Sequence, residues 1–168
     1  YVKTIAIGDN NDVYVGGKFT LAGGVAVSNI AKWDGMTWSK VGVSDFKETV
    51  TSLAFKNGVL YAGTEGTQLI NGTVINHIAK YNSGLNQWEL VGGGVSGSIP
   101  NRKYVTCLAF WGNDLLVGGY FDTAGTVSNT KGIARWDGSA WHSVDAGIQY
   151  NEWGSYPAVH AIHVSDNG

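Results

Sequence analysis

The stretch GGGVSG, from Gly92 to Gly97, formally matches the G-x-G-x-x-G pattern of a dinucleotide-binding loop. That chemistry requires a helix directly after the loop, because the N–H groups at the helix N-terminus hold the pyrophosphate. No helical periodicity follows Gly97, and related stretches elsewhere in the chain read VGVSDF and VDAGIQ. The sequence therefore predicts a glycine-rich loop and no cofactor.

Metal-binding chemistry has little local support either. The acidic stretch DNND, from Asp9 to Asp12, has carboxylates suited to calcium but lacks the glycine and the distal glutamate of the known calcium loop. The histidines follow neither an HxH nor an HExxH spacing; they are His77, His142, His160 and His163. We expect no metal site.

The residues that could carry catalysis are equally scattered. No Ser-His-Asp arrangement, nucleophile elbow or convergent pair of carboxylates can be recognised. The single cysteine, Cys107, has apolar neighbours and is typical of a small buried residue. The sequon Asn71-Gly72-Thr73 would accept a glycan only in a eukaryotic secretory pathway. We predict that this stretch is not an enzyme.

The composition is that of a folded domain. The 168 residues include 25 glycines against 2 prolines, and 12% are aromatic, so there is ample apolar surface to bury. Only 14% are charged and the net charge is −2, which argues against a nucleic-acid partner. No apolar stretch is long enough for a membrane span, so we expect no membrane insertion.

The chain repeats itself with a period of about fifty residues. VKTIAI at Val2 recurs as VTSLAF at Val50, VTCLAF at Val105 and VHAIHV at Val159. The first three are followed by DVYVGGKF, VLYAGTEG and DLLVGGYF, then by NIAKWDG, HIAKYNSG and GIARWDG. Each of these units ends with a predicted strand that contains a tryptophan: TWSKVG, QWELVG or AWHSVD. A motif that occurs three times is more typical of a structural scaffold than of a functional site.

Each unit predicts four short strands, which we call a, b, c and d. The a–b and c–d links contain Asn57-Gly58, Asp34-Gly35 and Asp137-Gly138, which favour tight hairpins. Four antiparallel strands in about fifty residues is the size of one β-propeller blade. The fold class expected is therefore all-β, a β-propeller with four-stranded antiparallel blades.

The unit resembles the kelch and galactose-oxidase group of propeller repeats. The likeness rests on a Gly-Gly that ends strand b, an aromatic residue in strand c and a tryptophan in strand d, and AKYNSGLNQW from Ala79 to Trp88 is especially kelch-like. The fuller form, GGxFTxAGG…NIAxWDGxxW, is similar to repeats of large secreted or cell-surface bacterial proteins and of fungal cell-polarity markers. The second unit departs from it at Ala62-Gly63-Thr64 and Tyr81-Asn82. The resemblance covers the whole chain and implies an extracellular or cell-surface propeller.

The repeated aromatic and glycine positions are predicted to be structural. We expect the aromatic pair of strands c and d to pack between blades, and the glycine of strand b to admit an aromatic ring of the adjacent blade. In strand a we expect Val50, Ser52 and Ala54 on one face and Thr51, Leu53 and Phe55 on the other. The structural repeat positions are Trp33, Tyr81, Trp136, Trp38, Trp88, Trp141, Gly16, Gly17, Gly63, Gly118 and Gly119.

The repeats divide the chain into three full blades and the inner strand of a fourth. The predicted boundaries are about 1–49, 50–103, 104–157 and 158–168. A closed propeller has at least about four blades. Two explanations stay open: the chain is a window of a longer repeat polypeptide, which we favour, or identical copies associate by strand addition into an extracellular filament.

Recognition is predicted on one rim of the stack. Strand direction alternates, so the b–c and d–a links share a rim, and these links are long and dissimilar whereas all links on the other rim are short. An aromatic cluster in the link AGIQYNEWGSYP is suited to stacking on a sugar or a protein. The candidate ligand-binding residues are Tyr150, Trp153, Tyr156, Phe46 and Arg102.

The function expected is a non-enzymatic, extracellular β-propeller module for surface interaction or for assembly into an extracellular structure. Its partners would be other blades of the same polypeptide, identical copies, a glycan or a surface protein. A carbohydrate-binding, lectin-like propeller is the alternative. A fragment of a secreted propeller enzyme is the second alternative.

Overall fold

The computed structural model describes residues 1–98, 104–149 and 158–165. Throughout these residues every regular element is a β-strand, which confirms the all-β prediction. The described residues contain no helix that could cross a membrane.

The strands follow the three sequence repeats. The first unit contains β1 (Val2–Ile7), β2 (Val13–Gly17), β3 (Leu21–Ala22), β4 (Val25–Ala26), β5 (Ile30–Trp33) and β6 (Trp38–Lys40). The second contains β7 (Val50–Lys56), β8 (Val59–Thr64), β9 (Gln68–Ile70), β10 (Thr73–Ile75), β11 (Ile78–Asn82) and β12 (Gln87–Leu90), and a short β13 (Val95–Ser96) follows it. The third contains β14 (Tyr104–Trp111), β15 (Asp114–Tyr120), β16 (Thr123–Ala124), β17 (Val127–Ser128), β18 (Ile133–Trp136) and β19 (Trp141–Ser143).

Each unit folds into one four-stranded antiparallel sheet of the same topology. The first sheet has the order β1-β2-β5-β6, and the second and third repeat it as β7-β8-β11-β12 and β14-β15-β18-β19. The sheets stack face to face in chain order, and their innermost strands β1, β7 and β14 lie side by side. The fold is all-β and propeller-like.

The b–c links are more ordered than the sequence indicated. They were expected to be long loops, but each contains a small hairpin: β3–β4, β9–β10 and β16–β17. The turns use residues with positive φ, such as Asn71 at 50° and Gly72 at 77°. Strand β13 then pairs with β16, so the link that leaves the second sheet is anchored on the hairpin of the third unit.

The innermost strands carry a β-bulge that corrects the predicted alternation of strand a. The register shifts between Val50 and Ser52, and equivalent shifts occur in β1 and β14. The extra residue moves Val50 to the same face as Leu53 and Phe55, where all three pack against the first sheet. Ala54, on the opposite face, packs against the third sheet. Simple period-two alternation could not show this displacement.

Two hydrophobic clusters fill the spaces between neighbouring sheets. Between the first and second sheets, Tyr14, Ile30 and Val41 meet Leu60 and Trp88. The cluster between the second and third sheets repeats this pattern at equivalent positions. Large apolar side chains buried between sheets in this way account for the stability of the stack.

The glycine of strand b contacts a valine, not the aromatic ring that was expected. A Cβ placed on Gly16 would lie 2.6 Å from Cγ1 of Val50, the first residue of the next sheet's inner strand. The contact recurs between Gly63 and Val105 and between Gly118 and Val159. These glycines are therefore required for the close approach of adjacent inner strands.

Candidate functional site

The repeated aromatic pairs of the second and third sheets pack against the preceding sheet, whereas Trp33 and Trp38 of the first sheet are only half-buried. Each pair is a cross-strand pair, with ring centroids 5.3 Å apart for Tyr81 and Trp88 and 5.2 Å for Trp136 and Trp141. Trp88 and Trp141 are buried. The indole N–H of Trp88 donates to the carbonyl of Val41 in the preceding unit at 3.1 Å. Such contacts are those of a structural residue whose polar atom is satisfied.

Trp141 makes the equivalent contact between the second and third sheets. Its indole N–H donates to the carbonyl of Gly92 at 3.0 Å. The ring positions also explain the glycine-rich stretch: a Cβ on Gly92 would lie 2.3 Å from Trp136, and the φ of Gly92 is +52°. This stretch is part of the contact between the second and third sheets, where a side chain would not fit.

Phe46 was predicted to be a ligand-binding residue, and the structure corrects that prediction. Its side chain is only 1% exposed. Its ring meets Trp88 edge-on, with the centroids 4.7 Å apart and the planes at 81°. The backbone carbonyl of Phe46 accepts a hydrogen bond from Asn29. Phe46 is therefore a core residue of the first interface, which its place in a long link did not reveal.

The other four candidate residues, Arg102, Tyr150, Trp153 and Tyr156, lie outside the described residues. What the structure does place on this rim is the hairpin β9–β10, which sequence reasoning missed. Leu69 and Val74 are directly opposite each other in its register and are 59% and 50% exposed. The two side chains form a small exposed aliphatic surface on the hairpin. The Asn71-Gly72 turn between two β-branched stretches was the available signal.

A polar cleft of about 640 Å³ lies at the same rim, where the innermost strands begin. The position of the cleft follows from the repeat. In each copy of the inner-strand motif, the residue directly after the first valine lines the cleft. It is lined by Lys3, Thr51, Glu65, Tyr104, Thr106 and His160. The cleft therefore draws side chains from all four occurrences of the inner-strand motif.

The groups in the cleft have partners within the protein. Lys3 pairs with Glu65. Partial burial, the largest single effect, raises the pKa of Glu65, but the hydrogen bonds from Lys3 and Thr49 and the charges of Lys3 and Lys18 together lower that pKa below its usual value. The hydroxyl of Thr51 donates to the carbonyl of Val105 in the next inner strand, and the hydroxyl of Thr106 donates to the carbonyl of Val159. Their free lone pairs, and the Lys3–Glu65 pair, can still bind polar groups of a ligand.

Aromatic rings border this cleft on one side. The rings of Tyr104 and Tyr120 lie 4.6 Å apart, and His160 meets Tyr120 edge-on at 5.5 Å. The Tyr120 hydroxyl is 3.2 Å from Nε2 of His160. Hydrogen-bonding groups beside aromatic rings form a surface that suits polar ligands such as sugars.

The remaining ionisable candidates are engaged in local structure. Asp12 of the DNND turn forms a 2.6 Å ion pair with Lys32. His142 lies 2.6 Å from Asp137, whose carboxylate caps the c–d turn. Burial raises the pKa of the Cys107 thiol. Within the part of the chain that the structure describes, no three His, Cys, Asp or Glu side chains are grouped to hold a metal.

The chain is similar to several solved structures. It is similar to the computationally designed Ika4 protein, with a TM-score of 0.49 and 21% identity over 99% of this chain and 81% of that one. It is similar to YCF48 bound to D1 peptide, with a TM-score of 0.48 and 15% identity over 86% of this chain and 40% of that one. For the designed Ika8 protein the TM-score is 0.48 and the identity 22%, over 99% and 41%. No model of a known protein family matches the sequence, and no curated protein matches it.

Proposed function

We propose that the chain is a non-enzymatic module of a kelch-like β-propeller that binds a surface protein through its long-link rim. The observation that carries the proposal is the exposed Leu69–Val74 pair on the β9–β10 hairpin. The repeated tryptophans and glycines are used for packing between sheets, so the rim is the part of the molecule free to vary and to recognise a partner.

The propeller assignment is supported by the segment that follows the third unit. Val159 lies against Gly118 as Val50 lies against Gly16 and Val105 against Gly63. This repeated contact supports the proposal that residues 158–165 are the inner strand of a fourth blade. An extracellular or cell-surface location is proposed from the likeness of GGxFTxAGG…NIAxWDGxxW to secreted and surface-anchored repeats, and detection of the native protein on intact cells tests it.

A protein partner suits the hairpin better than a sugar does. Leu69 and Val74 offer aliphatic surface without the aromatic face on which sugar rings stack. The three-stranded sheet of β13, β16 and β17 lies on the same rim and gives a second rigid element beside the loops. Apolar side chains on rigid hairpins are pre-organised, which lowers the entropy lost on binding.

Binding to intact cells tests the proposal. Fluorescently labelled protein is incubated with cells of the organism that produces it and measured by flow cytometry. Leu69→Asp should reduce binding at least about tenfold, since a charge would be buried without a partner. Met36→Asp is the matched control, because Met36 is exposed on the opposite rim. Protease treatment of the cells should abolish binding; binding that resists protease but not glycosidase would contradict a protein partner.

Carbohydrate binding is the second candidate, favoured by the polar cleft and its bordering rings. The described part of the site would contain Tyr104 and His160, and Tyr150, Trp153 and Tyr156 remain candidates from the sequence alone. A glycan array compares the wild type with Trp153→Ala. Loss of a glycan signal in the variant supports this candidate, and an array without signal removes it.

A further inference from the structure

Two Asn-Gly pairs in the described part of the chain form hairpin turns of the same backbone shape. Asn57-Gly58 joins β7 to β8, and Asn71-Gly72 joins β9 to β10. The φ angles are 51° and 77° in the first turn and 50° and 77° in the second, as expected of a two-residue loop in which both residues have positive φ. All four residues are exposed. The two turns therefore present the same dipeptide to solvent in the same form.

The surroundings of the two turns differ at the side-chain amide. The hydroxyl of Ser44, in the link that leaves the first sheet, donates a hydrogen bond to Oδ1 of Asn71. Ser44 lies 27 residues before Asn71 in the chain, so the contact exists only in the folded protein. Among the residues that the structure describes, no donor contacts the side-chain amide of Asn57.

An Asn-Gly pair is chemically reactive because glycine has no side chain to shield its backbone nitrogen. This nitrogen forms a bond to Cγ of the asparagine, and the bond from Cγ to the amide nitrogen breaks. Ammonia leaves with the proton of the glycine N–H, and a cyclic imide remains. Water then opens the imide at one of its two carbonyls, which gives aspartate or isoaspartate. Water is the only co-reactant.

The Ser44 hydroxyl is placed to accelerate this reaction at Asn71. Negative charge develops on Oδ1 when the glycine nitrogen adds to Cγ. A donor that already points at that oxygen stabilises the charge, as a donor does in an oxyanion hole. Asn71 has such a donor, and Asn57 has none within the described residues.

The length of the hairpins acts in the same direction. Strands β9 and β10 have three residues each, whereas β7 and β8 have seven and six. A turn must change its shape before the imide ring can close. A short hairpin at the rim opens more readily than two long strands of a central sheet, since fewer contacts have to break.

We propose that Asn71 is a site of spontaneous deamidation that is activated by the hydroxyl of Ser44. The reaction places a carboxylate at the tip of the β9–β10 hairpin, in the loop between the strands of Leu69 and Val74. Its isoaspartate product also adds one carbon to the main chain of a two-residue turn. That change displaces the neighbouring Ile70 and Ile75, which are 1% and 0% exposed.

This inference goes beyond the proposed function, because the reaction depends only on Ser44, Asn71 and Gly72. Its consequence for binding rests on the proposed function. A new charge beside the Leu69–Val74 pair weakens an apolar contact with a protein partner. Binding through the rim therefore declines as the protein ages.

Peptide mapping of the aged, folded protein tests the proposal. Trypsin releases residues 57–80 as one peptide that contains both asparagines, so fragment ions report the two conversions in the same molecules. In the native protein, Asn71 should deamidate at least about fivefold faster than Asn57, which is the rate equivalent of one ordinary hydrogen bond. In concentrated urea the contact with Ser44 is lost, and the two rates should become similar.

Two variants of Ser44 isolate the effect of its hydroxyl. Ser44→Ala should slow the reaction at Asn71 about fivefold and leave Asn57 unchanged. Ser44→Thr keeps a hydroxyl donor and should react faster at Asn71 than Ser44→Ala does; circular dichroism checks that both variants are folded. A native Asn57 that reacts as fast as Asn71, or a rate ratio that persists in urea, overturns the proposal. A Ser44→Ala variant whose Asn71 reacts as fast as in the wild type, or faster, overturns it too.

The consequence for binding is measured separately by flow cytometry on intact cells. Asn71→Asp carries the charge of the product from the start and should bind at least about threefold more weakly than the wild type. Asn57→Asp is the matched control on the opposite rim and should bind as the wild type does. Equal binding of the two variants would overturn the consequence for binding. Because deamidation is read by mass and binding by fluorescence, either proposal can fail while the other stands.

Discussion

Gly63 and Val105 meet across the second and third sheets so closely that a Cβ on the glycine would lie 2.5 Å from Cγ1 of the valine. The same relationship joins each sheet to the next inner strand. It sets the distance between neighbouring inner strands, and the buried tryptophans fill the wider space behind them. In the proposed function, recognition is then confined to the rim.

Replacing Gly63 by alanine should destabilise the protein. The added methyl group meets a branched side chain that is itself fully buried, so the sheets must separate. We expect a loss of about 1–3 kcal/mol in the free energy of unfolding, measured by urea titration. Gly84→Ala is the matched control, because the nearest atom to its added Cβ is Oδ1 of Asn82 at 3.4 Å. An equal loss in both variants would show that the loss at Gly63 does not come from its contact with Val105.

Equivalent tryptophans should differ in their contribution to stability. Trp88 is buried and its indole N–H donates to the carbonyl of Val41, whereas Trp38 is only half-buried. Trp88→Ala should cost about 3–5 kcal/mol, and Trp38→Ala clearly less. Thermal unfolding of the wild type and of the two variants makes the comparison. Equal costs would contradict the packing described between sheets.

The c–d turn of the third unit should make stability depend on acidic pH. Asp137 accepts backbone N–H bonds from Ala140 and Ser139 and lies beside His142; these interactions hold its pKa far below the usual 3.8. A depressed pKa contributes stability above pH 3.8, and the contribution is lost as pH falls from that value toward the folded pKa. Asp137→Asn keeps an acceptor oxygen that does not titrate.

Urea midpoints of the wild type and of Asp137→Asn should therefore converge as the pH is lowered from 5 toward 2, a range of about three units. Above this range the wild type should be the more stable. Parallel midpoints at every pH would show that the carboxylate does not stabilise the turn.

The Cys107 thiol should react slowly in the native protein. Burial raises its pKa and so reduces the thiolate that alkylating agents need. Iodoacetamide labelling followed by mass spectrometry should be at least about tenfold slower than at a cysteine introduced by Met36→Cys, a fully accessible position. Comparable rates at the two sites would indicate that the inner strand β14 opens readily.

The regular part of the fold could be predicted from the sequence because several local signals agree. Apolar runs, turn residues such as Asn57-Gly58 and the repeated aromatic positions all indicate the same four strands in each unit. The resulting sheets have the expected order along the chain. The rim hairpins were missed because their strands are only two or three residues long, too short for alternation to be recognised.

The errors concern relationships that depend on the neighbouring sheet. A bulge between Val50 and Ser52 reverses which face Val50 occupies, and one residue of slip moves a side chain to the other side of a sheet. Phe46 lies in an irregular link, where sequence pattern does not distinguish a core anchor from an exposed contact. Only the stacked structure shows that Val50, and not an aromatic ring, fills the space at Gly16.

A double-mutant cycle between Gly63 and Val105 tests the sheet-stacking account most directly. The free energies of unfolding are measured for Gly63→Ala, Val105→Ala and the double variant. If the added methyl group and the valine compete for one space, the double variant loses about 1–2 kcal/mol less than the sum of the single losses. Losses that simply add would show that the two residues do not meet, and would contradict the stacking of repeated sheets through this contact.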